Sequence, residues 1–145
     1  MLEYIPTTHQ FVCVVNKKIP APQLMNAVGH MTAGLVNQYR NETSLMRFRD
    51  FVDKDKTIHA STSENGFIVS RSENSNQLRT LRNKLIEEKI LYTDFTQTMV
   101  PGTYADQQNE FDKTSELDLE YFGVCFFTEK EKSREITKKF SLYVG

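Results

Sequence analysis

The chain has little that would tie it to a membrane, a metal or a polyanion. None of its 145 residues falls in an apolar run approaching the roughly 18 positions that a membrane-spanning helix needs. Residues 1–10 have neither the basic start nor the apolar core of a secretory signal, so a soluble cytoplasmic protein without membrane contact is expected. There are two cysteines, Cys13 and Cys125, each inside an apolar run where a free thiol behaves as a small buried hydrophobe. No histidine or second cysteine lies close in sequence to either, so neither a disulfide framework nor a metal site is expected. The formal net charge of -1 supplies no global positive field, and contact with nucleic acid would need a local patch. A glycine-rich phosphate loop, a nucleophile elbow and a dinucleotide fingerprint are all missing, and no cofactor is expected.

What is present fits one compact domain over residues 1–145, with 39% hydrophobic and 26% charged residues. Residues 11–15 and 121–127 are nearly continuous apolar runs, which suits central strands buried on both faces, Gly123 allowing close packing in the second. From Gln23 to about Tyr39, Leu24, Val28, Met31 and Leu35 recur at helical spacing, and Pro20 and Pro22 are tolerated near the first turn. Asn26, His30 and Asn37 share a different face of that helix, with small Ala27 and Gly34 leaving room for a second surface to come close.

Residues 45–52 read as a half-exposed strand, 53–57 as a polar turn, 58–61 as a short edge strand, and Asn65-Gly66 as a turn before a strand at 67–69. Asn74 or Ser75 caps a second helix to about Lys89 with Leu78, Leu81 and Leu85 on its core side. A strand follows at 91–95. Thr128 and Glu131 start a last helix running to Phe140. Strands alternating with helices predict an α/β fold of three layers, with a mixed sheet of four to five strands covered by helices.

The site-like stretch is 92–104, where a strand end carries Asp94 into a loop with Thr96, Thr98 and Thr103 around Pro101-Gly102. Strand ends and adjoining helix starts are where α/β sheets form ligand crevices, and His30, Lys17 and Lys18 belong to that neighbourhood. A carboxylate orienting a hydroxyl or a water beside an imidazole suffices to hydrolyse an activated ester. The plainer alternatives are a turn carboxylate for Asp94, loop hydroxyls for Thr98 and Thr103, and a packing histidine for His30. Arg79, Arg82 and Lys84 on the second helix are either a phosphate-contacting patch or a solvated flank. Between Thr103 and Glu120 six acids stand against Lys113, which a phosphate backbone would avoid.

The residues at 26–35, 78–83, 92–98 and 101–104 resemble a bacterial family known as domain of unknown function 2000, whose fold is similar to that of type II peptidyl-tRNA hydrolases. In those hydrolases a helix carries Gln-x-x-His-Ala, and a later strand ends in Asp-Ala-Gly-x-Thr followed by Pro-Gly. His30 falls at the helix histidine, and Asp94 and Thr98 keep the Asp-x-x-x-Thr spacing. Thr96 replaces the glycine and Ala27 the glutamine. The register of the hydrolases' lysine, seven residues before the histidine, holds Gln23; Lys18-Ile19 matches their Lys-Ile pair after a gap of five residues.

The resemblance implies a homodimer and a hydrolase of an acyl ester such as peptidyl-tRNA. Asp94 and Thr98 would position water, His30 would act as acid or base, and Lys18 would stabilise charge. Asn26, Thr96 and Thr103 would bind substrate. Against tRNA stands the acidic segment after Tyr104. The alternative is a non-catalytic module that keeps the crevice to bind a small ligand or a protein.

Overall fold

Two strands without a polar face form the middle of the molecule. In β1 (His9–Asn16) every residue from Gln10 onward is buried, and in β6 (Tyr121–Glu129) the first seven are. They pair antiparallel, Cys13 opposite Cys125. Alternation sends Phe11, Cys13, Val15, Cys125 and Phe127 to one side of the sheet and Val12, Val14, Val124 and Phe126 to the other. Each buried side chain of this size stabilises the fold by about 1.5–3 kcal/mol, so two-sided burial makes these strands the anchor. The cysteines are free, fully buried and in contact, Sγ to Sγ 2.7 Å.

The structure, a computed structural model, describes residues 4–42 and 44–144. The five-stranded sheet runs β5-β6-β1-β4-β7, with β4 (Phe67–Ser72), β5 (Tyr92–Thr96) and β7 (Ser141–Leu142) outside the central pair. Only the β1–β4 pairing is parallel, so the sheet is mixed. Helix α1 (Ala21–Gln38) covers one face with Leu24, Ala27, Met31 and Leu35. The other face is covered by α2 (Ser75–Glu87), through Leu78, Leu81 and Leu85, and by α4 (Lys130–Thr137), through Ile136. Three layers and a five-stranded mixed sheet are what the alternation of patterns predicts.

Local chemistry sets the boundaries. Asn74 caps α2 by accepting the Gln77 N–H at 3.0 Å, and Lys89, at φ 58°, turns the chain out of the helix that the sequence carries to that residue. At Gly123 a Cβ would sit 2.8 Å from Met31 Cε and 3.2 Å from the Val14 carbonyl, so α1 lies this close only because position 123 has no side chain. The surface that approaches α1 at Gly34 is β5: a Cβ there would be 3.4 Å from Thr93 Cγ2.

Four expectations change. Residues 48–52 form β2 (Phe48–Val52), which is wholly exposed and pairs with β3 (Ile58–Ser63) in a ribbon outside the main sheet. Its aromatics follow a strand period without a core to meet. Asn65 is buried and does more than turn the chain: its side chain donates to the His9 and Leu45 carbonyls and accepts from the Arg47 N–H. Thr128 remains in β6 opposite Gln10, so α4 begins after Glu129 without a side-chain cap. The acidic segment holds α3 (Tyr104–Asp112), a helix that buries no residue. Among the described residues no helix is long and apolar enough to cross a membrane.

Candidate functional site

α3 is placed by its start. Gly102 takes φ 55°, and Thr103 then closes a reciprocal capping box with Asp106: the hydroxyl accepts the Asp106 N–H at 3.3 Å, and the carboxylate accepts the Thr103 N–H at 2.9 Å. A Cβ on Gly102 would run into the Asp106 carboxylate at 2.2 Å, so glycine is required both for the turn and for the cap. This sets α3 across from α1 and leaves a cavity of about 580 Å3 between them. Asn26, His30 and Met31 of α1 form one wall. Thr93, Asp94 and Phe95 of β5 form the floor, and Tyr104, Gln107, Gln108 and Phe111 of α3 form the other wall. Met99, Val100 and Gly102 close one end.

The cavity lining mixes apolar and polar groups, Met31, Phe95, Met99 and Phe111 standing beside the amides of Asn26, Gln107 and Gln108. The His30 ring lies 5.9 Å from that of Phe95, and no lysine or arginine is among the lining residues. Asn26 and His30, grouped by helical spacing, both face it, whereas Asn37 does not line it.

β5 separates two chemistries, because its side chains alternate. Thr93 donates to the Met31 carbonyl at 2.9 Å and Phe95 joins the α1-side core; Tyr92 packs on the α2 side, and Asp94 turns that way to Arg82, Nε to Oδ2 3.6 Å. Burial pushes the Asp94 carboxyl above its ordinary value, the Arg82 cation opposes this, and Glu116 adds to it. Around them Arg79 donates to the Glu116 carboxylate (2.8 Å) and to the carbonyls of Glu116, Leu117 and Leu119, and its guanidinium lies over the Tyr121 ring. Tyr121 also donates to Glu116 at 2.8 Å; burial, then this bond, raises its phenol, while Arg79 first and Tyr121 after it hold Glu116 below its ordinary value. Arg79 and Arg82 are thus neither a phosphate patch nor a solvated flank, and Lys84 pairs with Glu88 at 3.2 Å.

The remaining candidates are dispersed. Thr96 and Thr98 are buried and bonded to each other at 2.6 Å. Thr103 is spent on the α3 cap. Lys18 lines a different cavity of about 320 Å3 with Asn16, Asn74 and Glu120, and Lys17 pairs with Glu73. The structure therefore brings Asn26, His30 and Asp94 to one cavity, with the Asp94 carboxylate directed to Arg82, while Thr98 and Lys18 are elsewhere. Phe95, Met99, Tyr104, Gln107 and Phe111 went unread as site residues. The Thr103–Asp106 spacing after Pro101-Gly102 was the available signal, since it is a helix start that brings α3 over His30.

A family model described as "Protein of unknown function (DUF2000)" matches residues 9–144. The chain belongs to this family. A solved structure, that of the protein of unknown function Atu0240 from Agrobacterium tumefaciens strain C58, superposes with a TM-score of 0.79 over 94% of this chain and 98% of that one, at 16% identity. At that identity the likeness bears on the fold alone. No curated protein matches the chain.

Proposed function

We propose that this family member is a binding module on a type II peptidyl-tRNA hydrolase-like framework, its ligand held in the cavity between α1, β5 and α3. The observation that carries this reading is the division at β5. His30 faces the cavity, whereas the Asp94 carboxylate is turned away toward Arg82. General acid–base chemistry needs both groups within about 3 Å of one reactant, directly or through one water. Walls that set Met31, Phe95 and Phe111 beside Asn26, His30, Gln107 and Gln108 suit a ligand that is held by packing and directed hydrogen bonds.

The hydrolase reading is the alternative, and the burial that raises the Asp94 carboxyl beside the cavity favours it. Its Thr98 and Lys18 would have to act from outside the cavity. A peptidyl-tRNA acceptor stem also calls for cations that the cavity walls lack.

One pair of measurements separates the two. Titration with uncharged heteroaromatic fragments, followed by amide and side-chain NMR, is expected to shift Asn26, His30, Phe95 and Gln107 together. Assays with p-nitrophenyl acyl esters and with peptidyl-tRNA are expected to show no turnover above the buffer rate. Turnover that vanishes in both Asp94→Asn and His30→Ala would replace the binding reading with the hydrolytic one.

A further inference from the structure

We infer that the occupant of this site is an extended peptide segment of another protein, which adds to the free edge of β5 as a sixth strand and seats one apolar side chain in the α1–α3 cavity. The inference rests on the binding reading above and names the class of ligand. Among the described residues β5 ends the sheet and pairs with β6 alone. The Tyr92 carbonyl accepts the Gln38 side-chain amide at 3.0 Å, so the Tyr92 peptide groups face away from β6. Alternation puts those of Asp94 on the same open side. Edge N–H and C=O groups of this kind are a template for another strand.

Gln38 occupies one carbonyl of this edge, while among the described residues the Asp94 peptide groups on the same side have no strand partner. Edges are usually blunted by lysine, proline, an inward charge or shortness. The other end of this sheet has a strand of two residues, Ser141–Leu142. β5 holds five residues, Tyr-Thr-Asp-Phe-Thr, with no lysine or proline, and its one charge is turned to Arg82. The site continues along that edge: a second, more open hollow of about 700 Å3 shares Thr93 and Asp94 with the first and extends to Gln38, Lys89 and Leu91. Two hollows in line along an open edge fit a chain whose side chains on one face recur roughly every 6.6 Å, better than they fit one compact molecule.

The segment's character follows from the walls. Met31, Phe95 and Phe111 ask for an apolar side chain in the first cavity. The far wall, α3, carries Asp106, Glu110 and Asp112, with Lys113 just after it, which favours a basic residue at that end of the segment.

The probe is a random heptapeptide phage library panned against the intact chain, with the enriched peptides then synthesised. The inference expects enriched sequences that pair an apolar with a basic residue. N-methylation of alternate peptide amides should weaken binding about tenfold or more, since main-chain bonds carry the affinity. Amide exchange at Asp94 should slow when peptide binds, and Phe111→Ala, on a helix with no buried residue, should weaken binding while leaving the melting temperature unchanged.

Enriched peptides indifferent to N-methylation would overturn it. So would a β5-to-β5 dimer of the free protein, seen in sedimentation and removed by Asp94→Pro. Neutral fragments that shift His30 and Phe95 while no peptide is enriched would overturn the peptide but keep the binding module. If neither probe moves those resonances, both readings fall.

Discussion

The two faces of β5 use their polar side chains in opposite ways. Toward α2, Arg79, Arg82, Asp94, Glu116 and Tyr121 are paired with one another and with loop carbonyls. Toward α1, Asn26 and His30 look into a cavity whose far wall is a helix with nothing buried. Charge that is paired holds a loop in place, whereas polar groups that look into a hollow are available to a ligand. The face whose charges are paired with one another is therefore the structural one, and the face whose polar groups look into a hollow is the candidate site.

The largest expected effect breaks the structural side. Arg79→Ala removes the donor shared by three backbone carbonyls and the Glu116 carboxylate, and is expected to cost about 2–4 kcal/mol in urea unfolding. A loss below about 1 kcal/mol would mean the network is incidental. Next, Gly102→Ala must hold φ 55° and displace Asp106 from the α3 cap, for about 1–2 kcal/mol. That loss should appear as faster amide exchange in α3 with the sheet unaffected.

Asp94→Asn separates the faces by pH. The carboxyl is raised in the folded state, so the native protein binds the extra proton, and the contribution of Asp94 to stability falls as pH rises from its ordinary 3.8 through the folded value. The difference in stability between wild type and Asp94→Asn should fall across that window and level off above it. Glu116 behaves in the opposite sense: held below its ordinary 4.5, it adds stability above that pH and loses it on acidification through its folded value. Arg79→Ala should flatten this acid-side loss. Smallest in stability is Tyr104→Ala, since Tyr104 is 79% exposed; it should change unfolding by less than about 0.5 kcal/mol while weakening whatever occupies the cavity.

The central strands and α1 were legible because their burial is written as period. Residues 11–15 and 121–127 leave no polar face, and Leu24, Met31 and Leu35 mark the helical stripe. β2 shows why period alone misleads: Met46 and Phe48 alternate and Phe51 follows less regularly, as in a half-buried strand, yet Phe48 and Phe51 are exposed. α3 was hidden because its apolar residues, Tyr104 and Phe111, line a hollow rather than a core, leaving only the cap at Thr103 to announce it. At the site, His30 and Asn26 could be grouped because one helix carries both. The direction of Asp94 could not be read, since its partner Arg82 comes from an element distant in sequence, and a spacing such as Asp-x-x-x-Thr does not record which face of a strand a carboxylate takes.

Gly123 touches no part of the cavity, yet it works as the spacer that sets its width. Met31 is wedged between that glycine and the hollow, with its methyl filling the room a Cβ would need. A methyl group added at 123 would drive Met31, and α1 with it, toward or away from α3. Members of a family on this framework have there a way to resize the pocket from behind, one atom at a time, without altering any residue that a ligand would meet.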